Sequence, residues 1–340
     1  METTRAEEET MRVAAITLCV AAIALAAGCA VKQEGGTDAK AAKDTSKQLY
    51  IEVSALGAID YFYDHKLGME LAGKCLGVRT EYLGPTDYDM AAMVTVLEQA
   101  IARKPSGLVV VGFEPSLNAV VDKAAAAGIP VVTVDADLPG SRRVAFVGTG
   151  NYRAGAEGGK KLAALLDGKG KVALMTKPGQ SNLEERIRGY KDALAKFPQM
   201  EVVQVADTQS DPTVAAQAAA ALLQKFPDLA GIACVEAAGG SGAATAVKEA
   251  GKVGKVKIVS MDRGNDVLEY IKDGVISATV AQQTALMPFY AVQILYNLNN
   301  YKIPISTDNA KAGVSGAPEV VDTGVVIIDK ANYEYFMRKR

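Results

Sequence analysis

Residues 108–111 read Leu-Val-Val-Val, four apolar side chains in unbroken succession. Side chains alternate across a strand, so such a run is buried on both faces, as in a parallel sheet sandwiched between helices. Comparable β-branched runs recur at 49–54, 79–83, 131–134, 144–147, 171–175, 202–206, 232–235, 257–260, 278–281 and 325–328. Helical patterns lie between them, among others at 88–103, 154–166, 183–197 and 213–226, with Gly or Pro at the joins. This alternation predicts an α/β chain with doubly wound parallel sheets.

The chain also repeats itself in outline. Lys104-Pro105-Ser106-Gly107 leads into strand, helix, Ala127-Gly128 and a strand ended by Asp135. Phe226-Pro227-Asp228-Leu229-Ala230-Gly231 leads into strand, helix, Ala250-Gly251 and a strand ended by Asp262. Two similar lobes are therefore expected. The cleft between them lies beyond the carboxyl ends of the strands, where open α/β sheets bind ligands.

The first thirty residues read as targeting. Arg12 precedes an apolar run, 13–27, that ends in Leu25-Ala26-Ala27-Gly28-Cys29. A run of about 15 residues is short for a membrane span and suits a signal-peptide core; a buried apolar helix is the alternative. Small residues directly before Cys29 resemble the lipobox of bacterial lipoproteins, in which that thiol is acylated. Glu7, Glu8 and Glu9 are out of place in a cationic leader, so the start falls at Met1 or Met11. Residues 32–47 are small, polar and without periodicity, as in a flexible tether. Cys75 and Cys234, on a predicted helix and a distant strand, are expected to be separate thiols.

Composition excludes several functions. Lys and Arg number 37 against 39 Asp and Glu, a net charge of −2, so no basic stripe exists to meet nucleic acid. A single histidine and no tryptophan leave little material for histidine metal sites or catalytic triads. No G-x-S-x-G, Walker loop, C-x-x-C or H-E-x-x-H occurs. Gly239-Gly240-Ser241-Gly242 suits a tightly packed helix start or, alternatively, a phosphate. His65 is expected on the surface of the first helix.

Asp135 and Asp262 are the first candidates for chemistry, since each ends a strand at the predicted cleft. Sugar hydroxyls could supply the donors a buried carboxylate needs; alternatively the two aspartates cap the turns that follow. With Asp137, Asp135 could instead ligate calcium, but the surrounding oxygen-ligand loop is missing.

Val134-Asp135-Ala136-Asp137 and Phe146-Val147-Gly148-Thr149-Gly150-Asn151-Tyr152-Arg153-Ala154-Gly155 are similar to the aspartate strand end and next segment of ribose-binding-like proteins. So are Glu185-Arg186-Ile187-Arg188-Gly189-Tyr190, Ile258-Val259-Ser260-Met261-Asp262 and Ala278-Thr279-Val280-Ala281-Gln282. This ordered set, over about residues 48–330, resembles the solute receptors of ABC importers, the type I periplasmic binding proteins. The resemblance implies two lobes joined by a three-stranded hinge and closing around ligand. It implies a first lobe of 48–150 and 283–311 and a second of 151–282 and 312–340, after a signal peptide (1–28) and tether (29–47).

Carried across by position, Tyr61 and Phe62 would face the sugar ring, Asp135 would bridge hydroxyls, and Arg186, Asp262 and Gln282 would close the site. The chain departs from the ribose-receptor pattern at Ala136 with Asp137, at Glu236, and at Met261 with Arg263. Carboxylates at Asp135, Asp137, Glu236 and Asp262 against Arg186 and Arg263 predict an excess of negative charge, which disfavours an anionic ligand. The expected protein is a monomeric, extracytoplasmic, lipid-anchored receptor. It would present a sugar or polyol to an ABC permease, with no cofactor, no metal and no catalysis. A sensor passing a signal molecule to a membrane receptor or kinase is the alternative.

Overall fold

The computed structural model describes residues 44–57 and 60–338. The expected signal peptide, Cys29 and most of the tether lie outside the described residues. Among the described residues, no helix is long and apolar enough to cross a membrane.

Two six-stranded sheets form two lobes. The first contains β1 (Leu49–Val53), β2 (Arg79–Leu83), β3 (Gly107–Val111), β4 (Val131–Val134), β5 (Ala145–Gly148) and β11 (Val320–Asp322). Its order is β11-β5-β4-β3-β1-β2. The second contains β6 (Lys169–Thr176), β7 (Gln199–Asp207), β8 (Leu229–Cys234), β9 (Lys257–Met261), β10 (Ala278–Gln282) and β12 (Val325–Asp329), ordered β12-β10-β9-β8-β6-β7. The two orders are the same winding, as the repeat requires, and β4 of the first lobe corresponds to β9 of the second.

The run at 108–111 does what its pattern demands. Leu108 and Val110 enter one core with Met93, Leu97 and Val121. Val109 and Val111 enter the opposite core with Met69, Met287 and Leu295. In the second lobe, Ile232 and Cys234 face one core while Ala233 and Val235 face the other. Each fully buried valine or leucine contributes about 1.5–3 kcal/mol relative to exposure.

The helices are α1 (Asp60–Leu76), α2 (Met90–Ala102), α3 (Asn118–Ala126), α4 (Asn151–Leu165), α5 (Ser181–Leu194), α6 (Pro212–Lys225), α7 (Ala237–Glu249), α8 (Asn265–Lys272), α9 (Leu286–Asn300) and α10 (Asn309–Ala312). Their starts follow from side chains that can satisfy free backbone N–H groups. Asp89 accepts from the N–H of Ala92 (2.9 Å), and Asp211 accepts from Thr213 and Val214 ahead of Pro212. Helices α4 and α5 meet through glycine: a Cβ on Gly155 would fall 1.9 Å from the Arg186 carbonyl oxygen. That contact fixes Arg186 against the start of the second lobe.

The chain crosses between lobes at 149–150, 283–285 and 323–324, and the crossings are tied to one another. Thr323 donates to the Gly148 carbonyl through its backbone N–H (2.8 Å) and its hydroxyl (3.1 Å). Gly150 N–H donates to Asp322 (2.8 Å), and Gln283 Nε2 donates to the Thr323 carbonyl. Two expectations change here. Residues 312–340 do not all belong to the second lobe, because β11 pairs Val320 with Phe146 and extends the first sheet. His65 is not on the surface: it is fully buried with its Nδ1 2.6 Å from Glu52, a carboxylate inside β1 that requires a buried partner.

Candidate functional site

Asp135 follows β4 and Asp262 follows β9, the same position in the two lobes. Both adopt φ 65°, the left-handed region that side chains other than glycine rarely enter. In each, the backbone N–H still donates to the neighbouring strand, Asp135 to Val147 (3.2 Å) and Asp262 to Val280 (2.9 Å). The turn away from the strand therefore begins at the aspartate itself. Such strain costs on the order of 1–3 kcal/mol, and here it recurs at the equivalent strand end of each lobe.

A cavity of about 160 Å³ is lined by Tyr61, Asp64, Ala237, Asp262, Arg263, Gly264, Gln282, Thr284 and Arg338. Both lobes, the hinge and the C-terminal tail thus contribute walls. Gln282 Nε2 donates to Asp262 (2.9 Å), while its buried Oε1 has no protein partner. Tyr61 donates its hydroxyl to Asp135 (2.6 Å), which places the Asp135 carboxylate one hydrogen bond behind the cavity wall.

The electrostatics follow from this enclosure. Burial raises the pKa of Asp262, and the Asp135 and Glu236 charges push it further; Arg186 and the Gln282 hydrogen bond oppose them. Burial, then the charges of Asp135 and Asp262, hold the Tyr61 hydroxyl well above its ordinary value, so it remains a donor.

The other expected residues divide. Arg186 is buried close enough to Asp262 to stabilise its charge, with Nε on Asn151 (2.8 Å) and Nη1 on the Val235 carbonyl (3.0 Å). Arg263 lines the cavity, donates to Asp64 and reaches the Phe336 carbonyl (3.1 Å). Phe62 does not face the cavity. Successive helix residues point about 100° apart, so with Tyr61 turned to the cleft Phe62 packs among Val109, Met287 and the Phe113 ring. Glu236 has both oxygens engaged, one by Thr208 (2.8 Å) and one by the Ala238 N–H at the start of α7 (2.8 Å).

Asp137 is also turned away from the cleft. Arg143 grips its carboxylate with two nitrogens, the second at 2.7 Å, and Thr133 and the Leu138 N–H complete its bonds. Asp137→Asn is therefore expected to cost about 1–3 kcal/mol of stability while leaving ligand affinity within about threefold. Parallel denaturant melts and calorimetric titrations check this; a tenfold affinity loss at intact stability would return Asp137 to the site.

The expected excess of carboxylate does not line the cavity. Asp64 and Asp262 face Arg263 and Arg338 across it, a balance of charge. Asp64, Thr284 and Arg338 were not foreseen from the sequence. Asp64 lies one helical turn from Tyr61, the one local signal that pointed to it.

Comparison with known proteins agrees with this fold. A family model described as periplasmic binding protein domain matches residues 53–302. The chain is 31% identical over 263 residues to a D-apiose import binding protein of Paraburkholderia graminis, covering 76% of this chain and 80% of that protein. It is 29% identical to the D-allose-binding periplasmic protein of Escherichia coli, over 70% of this chain and 83% of the relative. An arabinose-binding protein structure from Geobacillus stearothermophilus superposes with a TM-score of 0.82 at 38% identity, covering 86% of this chain and all of that one. The chain belongs to the periplasmic binding protein family, as a type I sugar-binding protein of the ribose-binding kind.

Proposed function

We propose that this chain is the extracytoplasmic receptor of an ABC importer and holds one neutral monosaccharide or related polyol in the cavity between its lobes. The observation that carries the reading is the pair of left-handed aspartates at equivalent strand ends, one of them on the cavity wall beside the unpartnered Gln282 Oε1. A sugar presents hydroxyls that both donate and accept, and C–H faces that pack on aromatic rings. Asp262 accepts from hydroxyls, Gln282 Oε1 accepts another, Arg263 donates, and Tyr61 offers its ring, with Asp135 behind it. Arg186 favours the charged form of Asp262 against the effect of burial. Balanced charge on the wall favours a neutral ligand over an acid or an amine. The named ligands of the relatives, apiose, allose and arabinose, are neutral sugars.

In this reading the apolar run and Cys29 make the protein a lipoprotein, tethered outside the membrane as a monomer and docking its closed form on a permease. Thermal unfolding against a panel of pentoses, hexoses, polyols, uronic acids and amino sugars tests the ligand class. A sugar at one hundred times its dissociation constant stabilises the fold by about 2.7 kcal/mol. Response to neutral sugars or polyols alone is expected; response to acids or amines alone would overturn the assignment.

A further inference from the structure

The C-terminal tail reaches the cavity from the far end of the chain. It is seated on the second lobe: Tyr333 is buried in that lobe's core, and Phe336 and Met337 pack against it. Arg338 then leaves the second lobe. Its Nη2 is 2.9 Å from Asp64 on α1 of the first lobe, and its guanidinium lies 5.3 Å from the Tyr63 ring centroid. Asp64 is 4% exposed, and it also accepts from Thr284 of the hinge (2.7 Å) and from Arg263 of the second lobe. One buried carboxylate thus gathers two guanidiniums and a hydroxyl from three different parts of the chain. Charge-assisted bonds of this kind are about twice as strong as neutral ones, and low exposure limits their screening by salt.

We propose that the C-terminal tail is a working part of the binding site: Arg338 walls the cavity and, through Asp64, clasps the two lobes together in the closed form. The three hinge crossings leave the lobes free to separate, whereas the Asp64 cluster must break for the cleft to open. Arg338 and Asp64 are therefore positioning residues that set the closing equilibrium, and ligand affinity scales with the closed fraction they maintain. The proposal rests on the reading that the lobes open and close around a ligand, but it concerns the unliganded protein.

Small-angle X-ray scattering of the full chain without ligand tests it, using Arg338→Ala, Arg338→Lys, Asp64→Asn and the double variant Asp64→Asn with Arg338→Ala. The wild type is expected to populate the compact form to a greater extent than either single variant. Arg338→Ala and Asp64→Asn should each increase the open-to-closed ratio about three- to tenfold, seen as a larger radius of gyration. The double variant should add little to Asp64→Asn alone, and Arg338→Lys should recover part of the closed population. Near-native circular dichroism and melting of Arg338→Ala separate opening from unfolding. An unliganded wild type already fully open, or a radius of gyration unchanged by both single substitutions, would overturn the proposal. Neither result depends on which sugar binds, so a silent ligand panel leaves this test standing.

Discussion

Replacing Asp262 by asparagine is expected to weaken sugar binding about 10²–10³-fold while making the unliganded protein more stable. The affinity loss follows from charge-assisted hydrogen bonds of about 1.5–3 kcal/mol each, of which a carboxylate bridging two hydroxyls would make two. The gain in stability has a separate cause. Asp262 is enclosed near Asp135 and Glu236, and burial raises its pKa, so its charged form carries a cost in the folded protein. Asparagine removes the charge, keeps the shape and tolerates the left-handed backbone.

The pH dependence follows with a definite sign. With a folded pKa above the ordinary 3.8, this group's contribution to apo stability is fully present below that value. It is lost as pH rises through the raised folded value. Calorimetric titration and thermal melts of both proteins check the prediction. An affinity within threefold of wild type would remove Asp262 from the ligand's contacts.

Breaking the pair beneath the site is expected to be the most destabilising change. Glu52 and His65 are fully buried, joined by one 2.6 Å bond, and neither Glu52 Oε2 nor His65 Nε2 has another protein partner. Glu52→Ala leaves an uncompensated imidazole and a cavity in the core of the first lobe, a loss of about 3–5 kcal/mol. Burial alone would lower the His65 pKa. The adjacent Glu52 carboxylate, through charge and hydrogen bond, outweighs it, with smaller help from Asp135 and Asp64, and the net shift is upward. His65 therefore contributes stability that is fully present below its unfolded value of about 6.5 and lost as pH rises through the raised folded value. Urea unfolding at acid, neutral and alkaline pH should show wild-type stability falling with pH in that window. In Glu52→Ala the fall should be largely absent. A wild-type profile flat across it, or a loss below about 1 kcal/mol in the variant, would contradict the account.

Much of the fold was legible because local pattern and global burial agree. The run at 108–111 could only be a strand covered on both faces, and its neighbours in sequence carry the same mark. Strand β11 escaped notice because it is three residues long, largely exposed, and held by a single parallel neighbour. Its place in the first sheet follows from the crossing at 323–324, not from its own side chains. The aspartates at 135 and 262 were visible because the repeat put them at equivalent strand ends.

The errors around them concern where a side chain points. Asp137 and Asp135 differ by two positions, yet Arg143 lies close enough in sequence to draw one away from the cleft. Tyr61 and Phe62 differ by one helical step. Asp64 and Arg338 stand at opposite ends of the chain, and only the folded tail brings them together. His65 could have been read from Glu52: a carboxylate inside Leu49–Val53, a strand bound for the interior, needs a buried partner, and the chain's one histidine follows on the next helix.

The central claim is that a neutral sugar lies between the lobes on the Asp262 side of Tyr61, and a crystal structure of the complex tests it most directly. The account predicts a ring against Tyr61 with hydroxyls within hydrogen-bond distance of Asp262, Gln282 Oε1 and Arg263. It also predicts that the Asp64–Arg338 contact is retained. A sugar bound elsewhere on the molecule, or bound in the cavity without touching Asp262 or Gln282, would contradict it.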